Sequence, residues 1–320
     1  MREAVELSVV IPVYNEEQTL EPLAQRLCEV LGSLGRLFEL VFVNDGSTDR
    51  SGAILEGLSL DDPEHIRVVH FRRNFGKSAA LMNGFREASG QVIFTMDADL
   101  QDDPAEIPQF LQKLSEGYDL VSGWKVHRQD PWSKRIPSKI FNRIVAWLTG
   151  VRIHDVNCGF KCYRREVVEH LDLYGRLYRF IPILAAAQGF RVTEIPVRHH
   201  PRRAGQSKFG SGRFLEGFFD LLTVILLTKY LHRPLHLLGL PGVIFGTAGM
   251  AICGYLSILW FGGVRPIGNR PLLLLGVLCV MVGVQFLSIG LLGEMLASHM
   301  RHHNASKKPE PSQPIESEVG

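Results

Sequence analysis

The sequence predicts an α/β protein built on a doubly wound, mostly parallel sheet, with amphipathic helices suited to a membrane surface and an apolar helical hairpin near its C-terminal end. Three observations predict this. Short apolar runs alternate with helical patterns over the first two-thirds of the 320 residues. Acid-rich polar stretches fall just past those runs, where open α/β sheets bind ligands. Two long uncharged runs dominate the last third.

The first apolar run, Leu7 to Val13 (LSVVIPV), reads as a strand buried on both faces. A helical pattern follows from Thr19 to about Leu31 and closes at Gly32. Phe38 to Val43 is a second buried strand, ending at Asn44-Asp45-Gly46. Ile66 to Phe71 and Val92 to Met96 repeat the pattern, and Lys77 to Ala88 and Pro104 to Glu116 supply helices. This part is expected to form one domain over residues 1–208, followed by an interfacial region at 209–234. Phe214 to Tyr230 is apolar but broken by Glu216 and Asp220, which suits a helix lying on a membrane surface. In Pro131 to Trp147, Ile136, Ile140 and Ile144 share a face among Lys134, Arg135, Lys139 and Arg143, as in an amphipathic helix of a soluble protein or of a membrane surface.

Leu235 to Phe261 and Pro271 to Gly293 contain no Asp, Glu, Lys or Arg. About 20 helical residues cross a hydrocarbon core of ~30 Å, so both runs qualify as spans within a membrane region at 235–300. Lys229, Arg233, Arg301, Lys307 and Lys308 flank the hairpin, against Arg265 and Arg270 in its loop. That bias, and an acidic N-terminus without an apolar leader core, lead one to expect the N-terminal domain in the cytoplasm and the protein in the cell membrane as a multi-pass chain. Gly276, Gly283 and Gly290 recur at seven-residue spacing, and Gly242 and Gly246 form a G-x-x-x-G pair; such small faces serve contacts between spans or between protomers. Residues 301–320 read as a disordered cytoplasmic tail, rich in Pro, Ser, Lys and Glu from Asn304.

Composition excludes several classes. Lys+Arg of 35 against Asp+Glu of 33 gives a net charge of +2, which argues against nucleic-acid binding. The cysteine count is odd, at five, and irregular in spacing, so no disulfide framework is expected. Cys158, Cys162 and nearby His154 lack a second ligand pair at zinc-like spacing.

The sharpest chemical signal is Asp97-Ala98-Asp99 at the end of the fourth strand. Two carboxylates here suit a hard cation, Mg²⁺ or Mn²⁺: one binds the ion, and the other holds a ribose or an ion-bound water while the ion bridges the phosphates of a nucleoside diphosphate. Asp45 sits at another strand end, where it can accept a hydrogen bond from a nucleobase, beside Ser47 and Thr48 as helix caps. Pro12-Val13-Tyr14-Asn15-Glu16 offers an aromatic ring and an acid to the same base. The loop Arg72 to Ser78 resembles a phosphate loop but lacks the G-x-x-x-x-G-K-S/T spacing, and no G-x-G-x-x-G follows the first strand.

VVIPVYNEE at 9–17, NDGSTD at 44–49, NFGKSAAL at 74–81 and DADLQDDP at 97–104 resemble the family 2 glycosyltransferases of the GT-A fold. DVNCGFK at 155–161, HHPRRAGQSK at 199–208 and GLLGE at 290–294 resemble the polyprenyl-phosphate glycosyltransferases within that family. The resemblance spans about residues 7 to 300. It implies donor binding by Pro12, Tyr14, Glu16, Asp45, Lys77, Asp97, Asp99, Gln101, Arg202, Ser207 and Lys208, with Asp97, Asp99 and Gln101 around the metal. It implies acceptor-phosphate binding by Lys125, Arg128, Lys134 and Ser138, with Lys125 standing where many relatives have Arg. Lipid attraction is an alternative role for the basic residues at 125–143. The implied reaction inverts configuration by transfer from a nucleotide sugar, UDP-linked in preference, to undecaprenyl or dolichyl phosphate. Asp155 then serves as base or positions the acceptor, and Asp99 acts at the donor. A GDP-mannose-dependent mannosyltransferase, a non-catalytic nucleotide-sugar-binding scaffold and a soluble nucleotide-binding protein are the alternatives. A processive polysaccharide synthase is disfavoured because the chain lacks a Q-x-x-R-W segment. A homotetramer is implied by the resemblance alone.

Overall fold

The computed structural model describes residues 5–126, 143–146, 149–151, 153–200, 220–226, 228, 234–263 and 271–305. The chain divides into two compact units, Met1–Ile225 and Leu226–Gly320.

The first unit is built on a seven-stranded sheet in the order β3-β2-β1-β4-β6-β5-β7. Its strands are β1 (Leu7–Val13), β2 (Phe38–Asn44), β3 (Ile66–His70), β4 (Val92–Thr95), β5 (Leu120–Lys125), β6 (Lys161–Arg164) and β7 (Val192–Val197). β6 is antiparallel to both neighbours, and the other pairings are parallel. The chain builds outward from β1 to β3 and then returns to place β4 on the other side of β1. The loops after β1 and β4 therefore leave in different directions, which opens a crevice at their carboxyl ends.

Alternation within the strands explains the two-sided packing. Leu7, Val9, Ile11 and Val13 of β1 join one core with Leu40 and Phe42 of β2. α1 (Leu20–Ser33) covers that face with Leu20, Leu23, Leu27 and Leu31, an apolar stripe at helical spacing. Leu55 of α2 (Ser51–Asp61) and Ile107, Phe110 and Leu114 of α4 (Ile107–Ser115) complete it. α3 (Lys77–Glu87) lies on the opposite face. A Cβ on its Gly84 would meet Val10 Cγ1 at 2.3 Å, so the helix reaches β1 only because that residue is glycine. α5 (Arg165–Glu169) and α6 (Ile181–Ala187) follow β6.

The four expected strands and three expected helices of this unit form close to their expected limits. Pro104 to Glu116 is divided into a 3₁₀ turn, Pro104–Glu106, and α4. β5, β6, β7 and α2 had no counterpart in the sequence reading. The first three mix polar residues into short strands, and α2 buries only Ser51 and Leu55. Most of the amphipathic segment at 131–147, and of that at 214–230, lies outside the described residues; 143–146 and 220–225 are helical.

The second unit pairs α7 (Pro234–Phe261) with α8 (Pro271–Ala305). Leu235–Phe261 and Pro271–Ser298 are long and apolar enough to cross a membrane. Only 17% and 11% of their most apolar stretches are buried, unlike core helices of a soluble domain. The glycines serve the contact between these two helices: a Cβ on Gly249 would sit 2.6 Å from the Gly276 carbonyl oxygen, and one on Gly283 would sit 2.6 Å from the Gly246 nitrogen. α8 continues through Ala305, so residues 301–305, expected in a disordered tail, are helical. The stretch from Glu294 to Ala305 contains neither glycine nor proline to stop the ladder.

Candidate active site

The loops after β1 and β2 are stitched together. Asn15, at φ 54°, donates its backbone N–H to Ser47 Oγ at 3.0 Å and accepts from the Thr48 N–H at 2.8 Å. The Glu16 N–H reaches Ser51 Oγ at 2.9 Å, and Glu17 accepts from the Arg50 N–H at 3.0 Å. Tyr14 and Glu16 are thereby held at the mouth of the crevice.

Asp45, 4% exposed, turns its carboxylate to the loop before α3, accepting from the Phe75 N–H at 2.7 Å and the Gly76 N–H at 2.9 Å. Burial raises its pKa, opposed by these two hydrogen bonds. Each carboxylate oxygen can accept a second donor, so this anchoring leaves capacity for a nucleobase. Gly46 beside it must be glycine for two reasons. Its φ is +67°, and a Cβ would meet the Arg73 backbone carbon at 2.3 Å.

Past β4, Asp97 forms an ion pair with Lys77 at the first turn of α3. Burial alone would raise the Asp97 pKa, but Lys77, with Lys125 assisting, holds it below the usual value against the opposing charge of Asp102. Leu100 turns the chain at φ 57°, and the Gln101 N–H donates to Asp99 Oδ1 at 3.2 Å. Gln101 faces the strap that follows β7. Its Nε2 is 3.3 Å from both His199 Nε2 and the His200 carbonyl oxygen, and its own carbonyl oxygen accepts from the His200 N–H at 2.8 Å. Asp102 is buried with Lys125, whose ammonium lies 3.1 Å from Oδ1, within ion-pair reach but off the angle of a well-directed hydrogen bond. Burial would raise the Asp102 pKa, yet Lys125 and His199 bring it down to about 2. Asp103 caps the 3₁₀ turn through the Ala105 N–H at 3.1 Å and pairs with Arg26 at 3.0 Å.

The turn at 155–160 forms a second wall. Asp155 is 4% exposed and accepts from the Asn157 N–H at 3.3 Å. Thr95 Oγ1 donates to the Gly159 carbonyl oxygen at 2.8 Å, and the Gly123 N–H donates to that of Phe160 at 2.9 Å. A Cβ on Gly159 would lie 2.5 Å from Asp97 Oδ2, so this turn presses directly on the Asp97 carboxylate. His154, the third member of the zinc-like cluster, instead pairs with Glu194 and stacks on Trp124 at 4.3 Å.

A cleft of ≈ 600 Å³ brings together Pro12, Tyr14, Glu16, Asp45, Lys77, Asp97 and Asp99, with Arg176 and Tyr178 across from them. The sequence reading missed the last two; an arginine and a tyrosine in a connecting segment carry no local motif. Gln101, Lys125 and Asp155 are not among its lining residues. For Lys125, expected to present its charge to an acceptor phosphate, the structure shows an ammonium committed to Asp102 inside the domain. Arg128, Lys134, Ser138, Arg202, Ser207 and Lys208 lie outside the described residues.

The donor set fits a hard divalent cation. Asp97 and Asp99 both face the cleft, while among the described residues no group of three or more His, Cys, Asp or Glu side chains is placed to hold an ion. An ion held by these two carboxylates would keep open positions for other oxygen ligands, as Mg²⁺ usually does.

A doubly wound sheet with paired aspartates just past the carboxyl end of β4 and a cleft at its switch point has the layout in which open α/β sheets bind ligands. Residues 8–172 match glycosyl transferase family 2. The chain is 37% identical over 314 residues to a dodecaprenyl-phosphate galacturonate synthase of Rhizobium johnstonii, covering 95% of this chain and 91% of that protein. It is 40% identical over 296 residues to an undecaprenyl-phosphate 4-deoxy-4-formamido-L-arabinose transferase of Pseudomonas aeruginosa, covering 91% and 84%. Glucosyl-3-phosphoglycerate synthase of Mycobacterium tuberculosis, in complex with Mn²⁺, UDP and phosphoglyceric acid, shares the fold at a TM-score of 0.51 and 22% identity, over 70% of this chain and 78% of that one. The chain belongs to glycosyl transferase family 2, and it is a glycosyltransferase.

Proposed function

We propose that this enzyme transfers a sugar from a nucleoside diphosphate to a polyprenyl phosphate at the cytoplasmic face of a cell membrane, with inversion at the anomeric carbon. The observation that carries the reading is the cleft in which Asp97 and Asp99 meet Lys77 and the nucleoside-side residues Pro12, Tyr14, Glu16 and Asp45. The names of the two relatives supply the acceptor class, and the two apolar helices give the chain an anchor in the bilayer where such a lipid resides. The excess of Lys and Arg outside the hairpin favours the cytoplasmic side.

Tyr14 stacks on the base, and Glu16 and Asp45 accept its N–H groups. Asp97 and Asp99, with Gln101 nearby, would hold a divalent cation at the diphosphate end of the cleft. When bound, Mg²⁺ or Mn²⁺ neutralises charge that builds on the departing diphosphate. Lys77 adds a cation beside Asp97, and Arg202, Ser207 and Lys208 are assigned to donor binding. Arg128, Lys134 and Ser138 receive the acceptor phosphate. One of its oxygens attacks the anomeric carbon as the bond to the diphosphate breaks, and the nucleoside diphosphate leaves. A phosphomonoester loses its second proton near pH ~6, so little base strength is needed at neutral pH. Asp155 therefore acts chiefly by orienting the acceptor, and a UDP-linked donor is favoured.

The test is transfer of radiolabelled sugar into the organic phase by membranes carrying the protein, supplied with polyprenyl phosphate and Mn²⁺. UDP-glucose, UDP-galacturonate, a UDP-linked amino-arabinose and GDP-mannose are compared. Label in the organic phase from a UDP-sugar is expected. No lipid-linked label from any donor rejects the reading, and label from GDP-mannose alone replaces the donor.

A further inference from the structure

Lys161 opens β6 and is 2% exposed, yet none of the roles above uses it. It sits in register with Thr95 of β4 on one side and Ser122 of β5 on the other, so its backbone is fixed by two ladders. Its ammonium donates to the carbonyl oxygen of Cys158, three residues back. That bond closes the 155–160 turn from within, while Thr95 Oγ1 holds the next carbonyl, that of Gly159, at 2.8 Å. The two ends of the turn serve the two halves of the reaction. Asp155 stands at its start, and Gly159 packs so tightly on Asp97 that a Cβ there would lie 2.5 Å from Oδ2.

We propose that Lys161 is a positioning residue for sugar transfer: its buried ammonium locks the 155–160 turn, and the turn sets Asp155 and Asp97 in one fixed relation. The proposal rests on the reading of Asp97 and Asp155 as donor-side and acceptor-side groups. A buried lysine is an expensive way to tie down one carbonyl, since burying charge costs more than a neutral hydrogen bond returns. The charges around it supply the reason for an ammonium. Burial pushes the Lys161 pKa down to about 8, Cys158, Asp155 and Asp97 favour its charged form, and Lys77 opposes it. The two carboxylates it helps to place thus both favour its charged form.

Lys161→Met and Lys161→Arg in the full-length, membrane-embedded enzyme test this. Lys161→Met is expected to lower kcat roughly 10- to 100-fold, the scale of a small misplacement at a reacting centre, with the donor KM within about twofold of wild type. Lys161→Arg, which restores a cation, is expected to recover most of that loss. Unchanged kcat in Lys161→Met, or no recovery in Lys161→Arg, overturns the proposal. Gly159→Ala probes the same link without touching the lysine. It should displace Asp97 and weaken Mn²⁺ binding, measured by electron paramagnetic resonance in the presence of UDP, and Mn²⁺ binding equal to wild type would sink the idea. A wild-type enzyme that transfers no sugar would reject the functional reading instead, while the Mn²⁺ titration still decides whether the turn sets Asp97.

Discussion

Both ends of the same sheet bury acidic groups, and they use them differently. At the amino ends of the strands Glu39, 1% exposed, accepts from Ser8 Oγ at 2.6 Å and from the Ser89 N–H, and pairs with Arg67 at 3.2 Å. Ser8 Oγ in turn accepts from the Gly90 N–H at 2.8 Å. The cluster ties β1, β2 and β3 to the turn before β4 and borders no part of the cleft. At the carboxyl ends Asp97 and Asp99 also lie close to cations and backbone donors, but there the diverging loops leave a cavity of ≈ 600 Å³ above them. Burial and partnering alone do not mark a functional acid. What separates the two ends is the switch in strand order, which opens space at one end for a ligand to complete the network.

Substitutions at the two ends should therefore separate activity from stability. The largest effect is expected for Asp99→Asn, which removes from the cleft a carboxylate proposed to bind the cation. Transfer should fall roughly 10³-fold, equivalent to about 4 kcal/mol of transition-state stabilisation, with a melting temperature near that of wild type. Asp102→Asn breaks the buried pair with Lys125 and should cost about 3 kcal/mol of stability, read by denaturant unfolding of detergent-solubilised protein. Glu39→Gln should cost about 2 kcal/mol, less because Arg67 is half exposed and can turn to water; its kcat should match wild type. A loss of turnover without loss of stability in Glu39→Gln would erase the distinction between the two ends.

A pH series sharpens the comparison at its smallest scale. The Asp102 pKa is lowered in the folded state, from 3.8 to about 2, because Lys125 and His199 outweigh the effect of burial. The stability it contributes is present above pH 3.8 and disappears as the pH falls through about 2. The gap in melting temperature between wild type and Asp102→Asn should accordingly narrow on acidification across that range. A gap that stays constant would show that Asp102 owes its place to packing rather than to its charge.

The division between what the sequence revealed and what it hid follows the range of the contacts. β1, β2 and β4 were legible because strands covered on both faces are mostly apolar, and the acids past their ends break that pattern abruptly; β3 showed through Ile66, Val68 and Val69. Asp45, Asp97 and Asp99 stood out for this reason. β5 and β7 carry Ser122, Lys125, Thr193 and Glu194, which blur the same signal. Lys125 reads in the sequence as a phosphate ligand because its partner Asp102 is brought to it only by the fold. Lys161 was visible within DVNCGFK, yet its burial depends on β4 and β5 closing around β6. Arg176 and Tyr178 reach the cleft from a connecting segment without periodicity. The hairpin glycines were plain in the sequence, but only the packing of α7 on α8 shows that the faces they form meet each other.

The central claim is that Asp97 and Asp99 hold a nucleoside diphosphate through a divalent cation in the cleft beyond β4. Titrating Mn²⁺ into the purified protein with and without UDP, followed by electron paramagnetic resonance, tests it most directly. Wild type should bind Mn²⁺ far more tightly when UDP is present, and Asp99→Asn should lose that enhancement while remaining folded. Equal UDP-dependent Mn²⁺ binding by both proteins would contradict the account.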